Sequence, residues 1–227
     1  MGRRRPHAAT LNVVRVVDPG DPSYHRRVTE RPRSTTMVGV GGPRIVIVPR
    51  WGGTPDNDWY PWIRRELAGI TVEQLQMPDP GTPTIEAWTS TVVAALGDDP
   101  YALAQTMLVG HSVGAQAAMR AVSQLGDGRA VAKLLCVAGW FAVDAPWPEI
   151  RPWIDTPLDD AAIRDGAHAI EVLLSTNDPF TADHEANAAQ WRARLEAEVS
   201  VVPDAGHFNA AVEPVVLDHV RRLFAEL

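Results

Sequence analysis

LVGHSVGAQAAMR, residues 108–120, carries an apolar run through His111 into Ser112, which stands between Gly110 and Gly114, and then into a stretch of small residues. The apolar run reads as a buried strand and the alanine-rich continuation as a helix, so Ser112 falls at an abrupt strand-to-helix join. Glycines two positions to either side allow a turn too tight for neighbouring side chains. The serine hydroxyl then projects beyond the strand end, and the amide of Val113 faces the same space. Ala115, Ala117 and Ala118 let the helix lie close to the strand. The plain alternative is a serine that caps a helix after a glycine turn.

The strand–helix rhythm continues in both directions. Short apolar runs at 45–49 (IVIVP), 71–77 (TVEQLQM), 106–111 (TMLVGH), 132–139 (AKLLCVAG), 169–175 (AIEVLLS) and 199–203 (VSVVP) predict about six strands. Between and after them, 59–67, 84–96, 113–125, 183–198 and 214–227 read as helices. Near-continuous apolar strands alternating with helices imply a three-layer α/β sandwich around a mainly parallel sheet covered on both faces. Sites in such sheets form at the carboxyl ends of the strands. Only residues 140–168, rich in Pro, Trp and Asp, break the rhythm.

Composition narrows the function classes. A chain of 227 residues with 45% hydrophobic content can bury a sizeable core. Its net charge of −7 argues against a nucleic-acid or anionic-membrane binder, since phosphate affinity is built from clustered Lys and Arg. Cys136 is the only cysteine, which excludes a disulfide framework and a cysteine-rich metal site and fits a reducing, cytoplasmic compartment. No run approaches the roughly 20 apolar residues of a membrane span. The first 36 residues differ: eight arginines stand against Asp18, Asp21 and Glu30. Residues 1–43 therefore read as a basic, flexible extension ahead of one domain at 44–227.

A serine hydroxyl needs a base, and the base a carboxylate that fixes its tautomer. Asp178 follows the fifth strand in LLSTNDPF and His207 the sixth in PDAGHFN, so Ser112, Asp178 and His207 all lie at strand carboxyl ends, in that chain order. The same order characterises α/β-hydrolases. Either residue has a plainer alternative as a turn former. His111 adjoins the serine but points elsewhere from its strand; His168, His184 and His219 sit in poorer places. The oxyanion donors fall on the amides of Val113 and, in the loop PRWGGTPDNDW, Trp51. Six tryptophans, at 51, 59, 62, 140, 147 and 153, lie in or near loops at the same edge, and Trp51 and Trp140 are the two expected to touch substrate. Asp79 reads as a turn residue.

IVIVPRWGG (45–53), DWYPWIRREL (58–67), QMPDP (76–80), VGHSVGAQAAMR (109–120), STNDPF (175–180) and AGHF (205–208) together resemble the retinoblastoma-binding protein nine family of small serine hydrolases, a compact branch of the α/β-hydrolase superfamily. The resemblance runs from about residue 44 to the end. It implies a single domain with little or no lid and hydrolysis of ester or amide bonds in small substrates; no cofactor and no metal are expected. It carries the nucleophile, acid and base onto Ser112, Asp178 and His207. Arg50 stands where similar hydrolases place glycine, the L-x-C-x-E element is absent, and the amino-terminal arm has no counterpart. Transfer of the acyl group to an alcohol or amine, and a non-catalytic binding protein on the same fold, are the competing readings.

Overall fold

The computed structural model describes residues 42–227, and the expected extension falls almost wholly on residues outside them. Strands β1 (Arg44–Val48), β2 (Thr71–Gln74), β3 (Thr106–His111), β4 (Lys133–Val137), β5 (Ile170–Ser175) and β6 (Glu198–Val202) form one sheet in the order β2-β1-β3-β4-β5-β6. All five pairings are parallel, as the near-continuous apolar runs predict.

Alternate strand residues divide the core into two layers. Ile45, Ile47, Met107, Val109, Leu135, Val137 and Leu173 pack against helix α1 (Tyr60–Glu66) and the last helix, α8 (Pro214–Phe224). Val46, Val48, Leu108, Leu134, Cys136, Val172 and Leu174 face α2 (Ile85–Leu96), α4 (Val113–Val122), α6 (Asp160–Asp165) and α7 (His184–Leu195). Two further short helices, α3 (Pro100–Leu103) and α5 (Arg151–Asp155), complete the described set.

Element ends follow local chemistry. The side chains of Thr84, Asp159 and Asp183 accept amide protons at the starts of α2, α6 and α7. Helix α7 stops at Leu195 rather than at 198, because Glu196 turns left-handed at φ 53° and Glu198 already opens β6. Strand β2 stops at Gln74, after which Leu75 and Met77 turn into the core. Residues 140–168, irregular by pattern, contain α5 and α6, the first with Pro152 in its opening turn.

Strand order reverses at β1, whose neighbours are β2 on one side and β3 on the other. The crevice at such a switch point is where α/β sheets take ligands. Here it opens between the loops that follow β1 and β3. No described helix is long and apolar enough to cross a membrane.

Candidate active site

Ser112 is the sharpest feature of the crevice. It leaves β3 at φ 55°, ψ −119°, a region that side-chain-bearing residues rarely adopt, and α4 begins at the next residue. The turn is held by the amide of Ser112 donating to the Val137 carbonyl. Both flanking glycines are sterically required. A Cβ on Gly110 would stand 2.5 Å from the Ala115 Cα, and one on Gly114 would stand 2.5 Å from the Pro49 carbonyl oxygen. The G-x-S-x-G spacing therefore reflects two backbone approaches, strand to helix and helix to the end of β1.

Asp178 and His207 come from the loops after β5 and β6. The His207 Nδ1 lies 2.7 Å from one carboxylate oxygen of Asp178, and the other accepts from the Phe180 amide at 2.9 Å. Because a carboxylate accepts, Nδ1 carries the proton, and Nε2 is the ring nitrogen that Asp178 does not hold. The two loops are cross-braced: Asn177 Oδ1 accepts from the Gly206 amide (2.7 Å), and Ser175 Oγ accepts from the Ala205 amide (3.0 Å). Ser112, Asp178 and His207 are all buried.

Ser112 and His207 line one cleft, together with Arg50, Trp51, Val113, Trp140, Val143, Trp147, Ile150, Phe180 and Asn209. In the resting geometry the Ser112 Oγ contacts the indole Nε1 of Trp140 at 3.4 Å and makes no hydrogen bond to His207. Contacts of this kind tighten when substrate is bound. The amides of Val113 and Trp51 donate to no group among the described hydrogen bonds, and both residues line the cleft.

Arg50 does not disrupt the loop it occupies. Its guanidinium forms a bidentate pair with Asp58 (2.8 and 3.1 Å) and donates to the Trp51 carbonyl at 2.9 Å. Two residues on, Gly52 has φ 69° with open space where a Cβ would stand, which makes backbone conformation its reason for being glycine.

The tryptophans divide. Trp51 and Trp140 reach the cleft, as expected, and so does Trp147, whose ring meets Trp51 edge-on at 5.4 Å. Trp59 and Trp153 are buried struts; they donate to the carbonyls of Phe208 and Pro83. Trp62 packs against the core layer beneath the sheet. Trp147 was placed at this edge by the sequence but not among the expected substrate contacts, and Val143, Ile150, Phe180 and Asn209 were not singled out. Phe180 packs edge-on against the His207 ring at 4.7 Å and sits two residues after Asp178, a proximity that could have flagged it. Asp79 lies in a turn at φ 42°. Among the described residues no group of His, Cys, Asp and Glu could hold a metal ion.

Comparison with known proteins identifies the family and the fold. A family model described as serine hydrolase matches residues 45–226. YdeN of Bacillus subtilis (strain 168) is 27% identical over 196 residues, covering 81% of this chain and 97% of the relative. The serine hydrolase RBBP9 of Rattus norvegicus is 29% identical over 186 residues, covering 73% of this chain and 87% of the relative. The crystal structure of B. subtilis YdeN superposes with a TM-score of 0.68 at 22% identity over 81% of this chain and 99% of that one. The Rhodococcus esterase RhEst1 superposes with a TM-score of 0.62 at 14% identity over 82% and 91%, a likeness of fold.

Proposed function

Because this chain belongs to the serine hydrolase family, whose model matches residues 45–226, we propose that it hydrolyses ester or amide bonds of small apolar substrates through Ser112, His207 and Asp178. The observation that carries this reading is the meeting, in one cleft, of a serine on a strained elbow with a histidine whose other nitrogen is held by a buried carboxylate. His207 Nε2 takes the proton from Ser112 as Oγ bonds to the substrate carbonyl carbon, and the amides of Val113 and Trp51 receive the oxyanion. The carbonyl re-forms, and the departing alcohol or amine leaves with the proton from His207. Water then repeats the sequence: His207 accepts its proton, its oxygen bonds to the acyl carbon, and Ser112 regains its hydrogen as the acid departs. Asp178 stabilises the imidazolium in each half.

Cleft size restricts the acyl group. The space beside Ser112 is about 100 Å³, below the roughly 300–1,000 Å³ of clefts that enclose drug-sized ligands, and its walls are largely Trp, Val, Ile and Phe. Among p-nitrophenyl esters, acetate and butyrate should therefore exceed the decanoate in kcat/KM by about tenfold or more. A burst of p-nitrophenol equal to the enzyme concentration would report the acyl-enzyme if deacylation is slower. Flat chain-length dependence would contradict the cleft assignment, and no ester turnover by folded protein would contradict the triad. Cys136 is buried in β4, where burial pushes its thiol well above the ordinary range and keeps it out of the chemistry.

A further inference from the structure

His111 lies beside Ser112, fully buried, yet it faces the layer opposite the cleft and takes no part in the proposed chemistry. Its ring packs against Trp59 (centroids 5.7 Å) and His207 (5.5 Å). Its Nε2 lies 2.8 Å from the His207 carbonyl oxygen, and its Nδ1 lies 2.7 Å from the Tyr60 hydroxyl. That hydroxyl in turn accepts from the Arg50 amide at 3.0 Å. The chain of contacts joins the loop after β1, which carries Trp51, to the loop after β6, which carries His207.

The chemistry of the partners assigns every proton. A carbonyl can only accept, so His111 Nε2 donates to the His207 oxygen. A neutral imidazole then offers Nδ1 as an acceptor, so Tyr60 donates to it, and the hydroxyl's remaining lone pair takes the Arg50 amide. Burial holds the His111 ring neutral, pushing its pKa well below the ordinary histidine range, with the charges of His207 and Arg50 adding to the effect and the hydrogen bond to the His207 carbonyl opposing it. Burial also keeps the Tyr60 hydroxyl protonated. A second strut runs parallel: Trp59 Nε1 donates to the Phe208 carbonyl at 3.0 Å, where the base loop turns left-handed at φ 51°.

We propose that His111 and Tyr60 are positioning residues: the buried relay from the Arg50 amide through Tyr60 and His111 to the His207 carbonyl holds the oxyanion loop and the base loop in one fixed relation. This rests on the assignment of Trp51 and His207 under Proposed function, but the coupling between the loops can be measured without it. Neither residue touches the cleft, so their loss should act on the geometry of the transition state rather than on substrate capture.

The test uses the full chain, p-nitrophenyl acetate as probe, and the variants Tyr60→Phe, His111→Phe, the double variant and His111→Gln. Each single Phe variant should lower kcat by about tenfold or more, with KM changed less than about twofold. The double variant should be no slower than the worse single, because one relay is broken in each. His111→Gln keeps an amide able to donate to the His207 carbonyl and should recover part of the loss. Amide hydrogen exchange supplies a readout independent of activity: Tyr60→Phe should speed exchange at 204–209 as well as at 50–53 by about fivefold or more. Exchange faster only at 50–53, unchanged kcat in both single variants, or losses that multiply in the double would each overturn the proposal. If the wild type turns over no ester, the triad assignment fails while the exchange comparison still decides the relay; if a Phe variant does not fold, Tyr60→Phe alone or His111→Gln carries the same comparison.

Discussion

Ser112→Ala should lower kcat by about 10⁴- to 10⁶-fold while the protein remains folded. The size follows from what the substitution removes: no other hydroxyl stands at the elbow, and the remaining amides and aromatic walls can only bind and polarise the substrate. The fold should survive because the Ser112 Oγ makes one long contact, to Trp140 Nε1 at 3.4 Å, and the alanine inherits the same backbone strain rather than adding to it. A Ser112→Ala/His207→Ala double variant should be about as slow as the worse single, since residues that act as a unit lose their effect together. Steady-state assays with short p-nitrophenyl esters measure both. A Ser112→Ala drop smaller than about 100-fold would contradict the role given to this residue.

Gly114→Ala should be among the most damaging single methyl additions in the described domain. The added carbon would stand 2.5 Å from the Pro49 carbonyl oxygen, with the Val48 carbonyl nearer still, and neither is a flexible side chain that can move aside. Helix α4 or the end of β1 must shift, at a cost of about 3 kcal/mol for a forced overlap in a packed interior. For a domain of this size that corresponds to a fall of roughly 6–12 °C in Tm. Gly52→Ala is the informative control. Its φ of 69° is strained for alanine, but open space surrounds it, so the cost should stay near about 1–2 kcal/mol. Gly114→Ala should also slow ester hydrolysis in whatever fraction stays folded, because Pro49 leads directly into the loop that presents the Trp51 amide. Differential scanning calorimetry of the two variants separates the effects; equal Tm values would contradict the close-approach account.

The parts legible in the sequence are those governed by local rules. Strands β1, β3, β4 and β5 are buried on both faces, so their residues form nearly unbroken apolar runs that need no knowledge of partners. The order of Ser112, Asp178 and His207 could be read because each follows its own strand, and in a parallel sheet all strand ends face one way. Other features were set by tertiary contacts. Helix α7 ends at Leu195 because Glu196 must turn the chain into β6, and nothing in the local periodicity marks that residue. Helix α3 carried a local signal, Asp99 capping ahead of Pro100, that is too short to stand out from a turn. Trp147 and Phe180 enter the cleft from irregular segments without a period to place them. The pairing of His111 with Tyr60 and with the His207 carbonyl spans 51 and 96 residues, and no pattern in the chain connects them.

The most direct test of the account is covalent labelling of the wild-type protein with a fluorophosphonate, followed by peptide mass analysis, beside Ser112→Ala and His207→Ala. Reaction of such a reagent requires an activated serine with donors placed for the developing oxyanion. The account predicts one phosphonate on the peptide containing Ser112 in wild type, none in Ser112→Ala, and much slower labelling in His207→Ala. A folded wild type that acquires no adduct, or acquires it on another serine, would contradict it.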